Sequence, residues 1–569
     1  MSMLTKYAAH LLKDVLPLDA EDIHQVLETP PSGDMGDVAF PCFHASKLLR
    51  KPPAQIAAEL AAAIHAEGVR AEAAGPYINL FFTPSVYGDL LLQGMMNPEF
   101  GKPDLGQGKR VIIDMSSPNI AKPFGIGHLR STVIGNALYN LYKETGFEPV
   151  SVNHLGDWGT QFGKQICAYK HWGSEEKLKA DPIRESLELY VRFHEEAEQY
   201  PELEDEARGW FRKLETGDED AKRLWEYFVE VSLNEFERMY DKLGVKFDHI
   251  LGESFYNDKI VPVIKALKEQ NLLEESDGAY VVRLDEEGMP PCLITKSDGT
   301  TIYPTRDLAT AIYRHDVMKG DKLLYVVGGE QKLHFKQVFA VLGKLGKTWV
   351  ESCEHVPFGL MKFAGKKMST RRGRVVSLEE VLQEAVNRAR EIIEEKNPLL
   401  PDKEHVAEAV GIGAIVFGDL KNNRVNEIDF SLDEALNFDG ETGPYVQYTF
   451  ARTQSVLAKA EWNFSLADCK NILSHSDLNS INHSSVWQLI KQLSLYPQAI
   501  ERAVKRNEPS VVARYALETA KAFNRFYNLN RILAEDEKEQ KAKLIVTTAA
   551  AEIIRRSLHL LGLKTPKQM

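Results

Sequence analysis

The sequence predicts an α/β multidomain protein with a parallel-sheet unit in the middle, a small α+β unit before it and an all-α unit after it. Three observations carry this. The chain has 569 residues, too many for one hydrophobic core when domains run roughly 100–200 residues. Residues 110–159 read as strand, glycine-rich loop, helix, strand, the βαβ unit whose right-handed crossover starts a doubly wound sheet. From about 438 onward the apolar spacing is helical almost to the end, apart from a low-signal stretch at 462–484.

Taken in order, residues 1–105 form the small α+β unit. Helical patterns near 3–15 and 53–66 precede a strand-like Gly75-Pro-Tyr-Ile-Asn-Leu-Phe-Phe-Thr83. Turn residues at 98–108, PEFGKPDLGQG, make a linker. Residues 106–437 are the Rossmann-type unit. RVIIDMSS at 110–117 is its buried first strand, GHLRSTVIGNALYNLYKE at 127–144 the helix stopped by Gly146, and VSVNHLGDWG at 150–159 the next strand. Residues about 166–245 alternate charges at helical spacing and read as a solvated helical insertion. AYVVRLDEEG and PCLITKSDGTTIYP give short strands with a hairpin turn at Asp298-Gly299, and KLLYVVGG at 322–329 completes the sheet. Residues 438–569 form the all-α unit.

Composition narrows the function. With 44% hydrophobic and 27% charged residues and a mean hydropathy of -0.30, the chain is built like a soluble globular protein. No apolar run approaches the roughly 20 residues of a membrane span, and the N-terminus lacks the apolar core of a signal peptide, so a cytoplasmic protein without a membrane partner is expected. The five cysteines are scattered and form no CxxC pair, which argues against a disulfide framework and against a zinc site. Net charge is -13, unfavourable overall for phosphate binding. Its distribution matters more, because acid concentrates in 174–242 while KFAGKKMSTRRGR at 362–374 holds none.

Two segments carry chemistry. SSPNIAKPFGIGHLRST at 116–132 lies where the first strand of a parallel sheet hands over to its helix, the place where such folds bind phosphates. Gly125 and Gly127 let a ligand approach the backbone. His128 stands at the helix N-terminus, where a donor to an α-phosphate would stabilise charge growing in the transition state. A glycine turn closed by a capping histidine would look the same. KKMSTRRGR at 366–374, before a helix start at Ser377, is a cationic loop suited to clamping a pyrophosphate leaving group. Such a segment by itself is more often a solvated basic loop.

Together these segments resemble the HIGH and KMSKS elements of class I aminoacyl-tRNA synthetases: GIGH at 125–128 and Lys367-Met-Ser-Thr-Arg371. Within that class the chain resembles arginyl-tRNA synthetases of the bacterial type, through SSPNIAKP, HLRST, NHLGDWGTQFG at 153–163, TRDLATA at 305–311 and GPYVQY at 443–448. The likeness runs end to end. It departs from the pattern twice: Gly125 replaces the first histidine of HIGH, and Thr370 the second lysine of KMSKS, leaving Lys366, Lys367 and Arg371 as phosphate clamps, with Lys367 favoured over Lys366.

The resemblance implies the following sites. Gly125, Gly127, His128, Met368 and Ser369 hold ATP, which arrives with Mg2+ as substrate, and no tightly bound metal or organic cofactor is needed. Asp307 and Glu253 bind the guanidinium, whose planar donors match carboxylates. Tyr303 lines that pocket, while Asn119 and Gln331 hold the other end of arginine. Tyr77 and Asn79, on one strand face of the N-terminal unit, meet the elbow of the tRNA, where stacking and amide contacts suit splayed bases. The C-terminal unit is the anticodon-binding domain, opened by Tyr445, Gln447, Tyr448 and Arg452, with Ala522-Phe-Asn-Arg-Phe-Tyr527 recurring later and Met569 bordering the anticodon pocket.

The expected function is therefore an arginine–tRNA ligase acting on arginine, ATP and tRNA(Arg), as a monomer, with tRNA needed before arginine is activated. A cysteine-specific class I enzyme fits poorly, because that pocket uses zinc-bound cysteines. The rival from another class is a catalytically impaired, synthetase-like tRNA-binding protein, suggested by the altered GIGH and KMST elements.

Overall fold

The structure is a computed structural model describing residues 3–32, 35–83, 86, 88–122, 124–296, 303–363, 378–473 and 483–569. The hairpin turn expected at Asp298-Gly299, the cationic loop with Lys366, Lys367, Met368, Ser369, Thr370 and Arg371, and the helix cap at Ser377 all lie outside the described residues.

In the N-terminal unit, β1 (Val38–Pro41), β2 (Val69–Ala74) and β3 (Tyr77–Phe82) form an antiparallel sheet of order β1-β3-β2. The Pro53–Ala63 helix, started by proline in its first turn, packs Ile56, Ala57 and Leu60 against it. Tyr77 and Asn79 do share a face of β3, as the two-residue period requires. The expected open alternation fails at Asn79, however, which is only 7% exposed. Gly36, at a φ of +113°, crosses over it so closely that an added Cβ would stand 3.2 Å from that of Asn79.

The central sheet is wholly parallel, with strands β4 (Arg110–Asp114), β5 (Glu148–Asn153), β6 (His249–Ile250), β10 (Lys322–Gly328) and β11 (Cys353–Phe358) in the order β11-β10-β4-β5-β6. The first strand is thus central, and the chain turns from one side of it to the other, creating a crevice at the carboxyl ends of β10, β4 and β5. Both faces are covered, which is why RVIID and KLLYVV read as continuous apolar runs and not as alternations. Between β6 and β10, a small antiparallel sheet joins β7 (Glu274–Ser276), β8 (Ala279–Val282) and β9 (Cys292–Thr295).

The helical insertion between β5 and β6 starts at Thr160 and ends with the long Glu219–Leu243 helix, capped by the Asp218 side chain and closed by Gly244 at a φ of +67°. A small core of its own, around Cys167, Leu189, Phe193 and Leu203, explains how so charged a segment stays folded. Its last helix returns Phe236, Tyr240 and Leu243 to the main core.

After β11, a short parallel pair links β12 (Met361–Phe363) to β13 (Ile428–Phe430). The helical run begins at Leu378, ahead of residue 438, with helices Leu378–Lys396 and Lys403–Leu420 packed together. The second is buried nearly all round through VAEAVGIGAIVFGDL, so it shows no amphipathic stripe for periodicity to reveal. Helices Gly443–Lys459, Ser510–Leu529 and Glu537–Leu560 form the core of the last unit.

Candidate active site

The crevice is built from loops that the sheet delivers to one place. The loop after β4 carries three non-glycine residues in the left-handed region, Ser116 (φ 73°), Ser117 (φ 52°) and Ala121 (φ 59°). Each such residue costs about 1–3 kcal/mol and persists only where its surroundings enforce it. Here they do. Ser131 Oγ accepts from the Ser116 amide at 2.9 Å and donates to Val326 O at 2.6 Å. Thr132 Oγ1 bonds Ser116 Oγ at 2.8 Å, which also meets Tyr240 OH at 2.8 Å, while Asn153 Oδ1 accepts from the Ser117 amide at 3.1 Å and Ser232 Oγ from that of Ala121 at 3.0 Å. The ST of HLRST thus fixes the loop that presents Asn119.

At the mouth of this loop Gly125 caps the Ile126–Glu144 helix. His128 Nδ1 accepts from the Gly125 amide at 3.2 Å. The capping role is therefore real, but it uses only one nitrogen. In the neutral ring it leaves the proton on Nε2, a donor. Burial, with Lys122 nearby, pushes the pKa of His128 down to about 4, so the ring is neutral at working pH. A Cβ on Gly125 or Gly127 would meet nothing within 4 Å, so the protein itself leaves the backbone open there.

Arg130, in the same helix, is 1% exposed and bonds Asp419 Oδ1 at 2.9 Å, Gly359 O at 2.5 Å and Asn426 O at 3.0 Å. It ties this helix to the strand entering β12. The amide of Leu378 donates to Phe124 O at 3.1 Å. Gly359, ahead of the cationic segment, and Leu378, after it, are thus tied to residues around His128.

The opposite wall holds the acids. Glu253 lies on a short turn after β6, and Asp157 of NHLGDWG shapes that turn: the Ser254 amide and hydroxyl donate to its two oxygens at 2.8 and 2.6 Å. The Glu253 amide donates to Leu155 O at 2.9 Å. Glycine is required at 252 because a Cβ would stand 2.2 Å from Asp157 Oδ2. Burial pushes the Glu253 carboxyl up to about 8; Arg306 opposes this, and Asp307 and Asp157 add to it. The Arg306 guanidinium is a loose partner at 3.7 Å and only partly compensates Glu253.

Asp307 sits in the first turns of the Tyr303–Asp316 helix, with Oδ2 2.5 Å from His334 Nε2. Tyr303, 64% exposed, stands at the pocket mouth, where partial desolvation and then Glu253 and Asp307 raise its phenol pKa. His154 lies beneath, its Nδ1 3.1 Å from Leu251 O and its pKa lowered by burial. Asn119 forms a backbone bridge with Gly156 in the loop after β5, and Gln331 is exposed on a turn at the end of β10. The fold thus brings Asn119, His128, Glu253, Tyr303, Asp307 and Gln331 to one end of the sheet. Asp157, Ser131, Thr132, His154 and His334 were not singled out by sequence, although several lie inside quoted motifs. Their work is done through contacts that no spacing encodes.

At the far end, Tyr445, Tyr448 and Arg452 meet Asn524 and Tyr527. The Arg452 guanidinium lies 4.9 Å from the Tyr448 ring centroid and 5.1 Å from that of Tyr527, and it bonds Asn524 Oδ1. Asn524 also donates to Tyr445 OH at 3.0 Å. Both tyrosines are partly exposed, giving a cation held between aromatic faces at the surface. Gln447, grouped with them on sequence, is instead buried and donates to Ala409 O and Lys564 O at 3.0 and 2.8 Å, because helical spacing turns it inward. Met569 packs on the main core, its carbonyl 3.4 Å from Asn397 Nδ2.

Among the described residues, one trio has the spacing of metal donors: Cys167, His171 and Glu206. It lies in the helical insertion, away from the crevice, and Glu206 already accepts from His171 at 2.9 Å and from Trp210 at 3.4 Å.

A parallel sheet with a GIGH helix start at its switch point, facing an acidic pocket, defines a class I aminoacyl-tRNA synthetase. The comparisons agree. The family model "tRNA synthetases class I (R), catalytic domain" matches residues 91–432, "DALR anticodon binding domain" residues 446–569 and "Arginyl tRNA synthetase N terminal domain" residues 2–82. The chain belongs to the arginyl-tRNA synthetase family. It is 49% identical to an arginine–tRNA ligase of Clostridium perfringens, covering 99% of each chain, and 51% identical to one of Bacillus anthracis, covering 97% of each. Among solved structures, Thermus thermophilus arginyl-tRNA synthetase superposes with a TM-score of 0.80 at 27% identity, over 100% of this chain and 99% of that one. The Plasmodium falciparum enzyme gives 0.79 at 23% identity, over 100% of both, a likeness of fold.

Proposed function

We propose that this chain activates arginine with Mg-ATP and transfers the arginyl group to tRNA(Arg) through the crevice described above. The observation that carries the reading is the facing pair of acids, Glu253 and Asp307, in a partly buried pocket where, among the described residues, the neighbouring guanidinium of Arg306 is 3.7 Å from Glu253. Such a pair calls for a cation, and a planar one with several donors serves both acids best.

The chemistry has two steps. The carboxylate of arginine attacks the α-phosphorus of ATP and pyrophosphate leaves, giving arginyl-adenylate. A ribose hydroxyl of the 3′-terminal adenosine then attacks the arginyl carbonyl, and AMP leaves. His128 Nε2–H is suited to donate to an α-phosphate oxygen while that charge grows, and the free amides of its helix start add to the effect. Asn119 and Gln331 would orient the carboxylate end and Tyr303 would border the pocket. Lys367, with Lys366 and Arg371, would clamp the departing pyrophosphate, and Met368 and Ser369 would complete the nucleotide site. The exposed Tyr448–Arg452–Tyr527 group suits anticodon bases, Met569 would border that pocket, and Tyr77 suits the tRNA elbow; Asn79 is too enclosed to reach a base without a shift.

All these groups come from one chain, so a monomer would carry both steps. No helix among the described residues is long and apolar enough to cross a membrane, and we place the enzyme in the cytoplasm, with its substrates. A tRNA-binding protein without catalysis is disfavoured, since it would have no use for an acidic pocket beside a donor histidine. The deciding experiment is ATP–pyrophosphate exchange with each amino acid, with and without tRNA. Exchange with arginine alone among them, and only when tRNA is present, is expected. Exchange with another amino acid would sink the pocket assignment, and none with any would favour the non-catalytic rival.

A further inference from the structure

We propose that His334 is a positioning residue of the arginine pocket, holding one oxygen of Asp307 so that the other is presented to the guanidinium; this rests on Asp307 being a substrate-binding acid. His334 lies in the Lys332–Lys344 helix and Asp307 in the Tyr303–Asp316 helix, and the two side chains meet with Nε2 2.5 Å from Oδ2. Both are about one-fifth exposed, partly shielded from competing water. No donor among the described residues reaches Asp307 Oδ1.

An aspartate on a helix has two torsions to fix before it can bind a planar group, and backbone position sets neither. The contact with His334 fixes the carboxylate plane by occupying Oδ2 and so leaves Oδ1 with a defined direction. His334 is itself anchored by its neighbour: the Phe335 ring is buried, 5.0 Å from the Tyr325 ring and 4.7 Å from that of His355, at the end of the central sheet. The pocket therefore offers the guanidinium one oxygen of Asp307 and the carboxylate of Glu253, an arrangement that discriminates by direction as well as by charge.

The competing role for His334 is to pin two helices together, which would affect stability and not substrate binding. Exchange kinetics with tRNA present separate the two. In His334→Ala, KM for arginine should rise roughly tenfold or more, the worth of a hydrogen bond to a charged group, with kcat and KM for ATP changed less than about twofold. His334→Gln, which can carry an amide N–H to the same place, should recover most of the loss. The double variant His334→Ala/Asp307→Asn should bind arginine no worse than Asp307→Asn alone. If Asp307→Asn raises KM while both His334 variants leave it within about twofold, the positioning role is refuted and the pocket stands. If Asp307→Asn leaves KM unchanged, the pocket assignment itself falls, and this inference with it.

Discussion

Arginine binding should release a proton, and its affinity should climb with pH until Glu253 is ionised. The unliganded carboxyl of Glu253 is pushed up to about 8, first by burial and then by Asp307 and Asp157. A guanidinium binds the ionised form, so binding at pH 7 must expel the proton that burial retains. A group titrating near 8 is about three-quarters ionised at pH 8.5 and about 3% ionised at pH 6.5, so affinity should fall by about 25-fold between them. Titration calorimetry at pH 7, in two buffers of different ionisation enthalpy, should detect close to one proton released per arginine bound. In Glu253→Gln, affinity is lower throughout but both the release and the slope should vanish. The same group acts on folding with a definite sign. Between its unfolded value near 4.5 and about 8 the folded protein holds the proton more tightly, so stability of the free enzyme falls as pH rises through that window, by at most about 1.4 kcal/mol per pH unit. A wild-type enzyme whose arginine affinity is flat from pH 6.5 to 8.5, or a Glu253→Gln variant with an undiminished slope, would refute the reasoning.

His128→Ala should lower the exchange rate by roughly a hundredfold to a thousandfold while KM for ATP stays within a few-fold; equal losses in both would make His128 a ground-state contact. Because the ring is held neutral with a pKa near 4, the rate should show no inflection near pH 6.5 that disappears in this variant, and finding one would contradict the tautomer assigned above. Arg130→Met leaves Asp419 buried without its partner, and a loss of about 3–5 kcal/mol is expected in chemical denaturation; the companion Arg130→Met/Asp419→Leu should recover part of it, and a double variant as unstable as the single would show that the carbonyl contacts to Gly359 and Asn426 dominate. Tyr448→Ala and Arg452→Ala should each raise KM for tRNA by roughly tenfold, the worth of a stacking contact, without changing KM for arginine. An unchanged KM for tRNA would show the aromatic cluster to be structural.

Much was legible because the decisive signals are local. A strand's apolar run, a glycine-rich loop and a helix stopped by Gly146, which takes a φ of +78°, follow from neighbouring residues alone. So do His128 at a helix start and Asp307 four residues after Tyr303. The helices Leu378–Lys396 and Lys403–Leu420 were hidden as part of an all-α body because the second is apolar on every side. Asn79 was misjudged in accessibility for the same reason, and the burial of Gln447 was not legible either: a residue's face is set by its own period, but what covers that face comes from elsewhere in the chain.

The sequence by itself determined the parallel-sheet class, the order of the units and the family, since these depend on residue type and short-range motifs; it offered the histidine as a candidate by its place at a helix start, and the two acids as candidates only through the family resemblance. Only the tertiary structure decided what those groups are. Asp157 and Glu253, separated by ninety-odd positions in the chain, share one turn through Ser254. His334 reaches Asp307 from another helix, and Ser131, Tyr240 and Asn153 jointly hold the left-handed loop after β4. The protonation of Glu253, the free nitrogen of His128 and the direction of the Asp307 carboxylate all depend on burial and distance, and those come into being only when remote segments pack together.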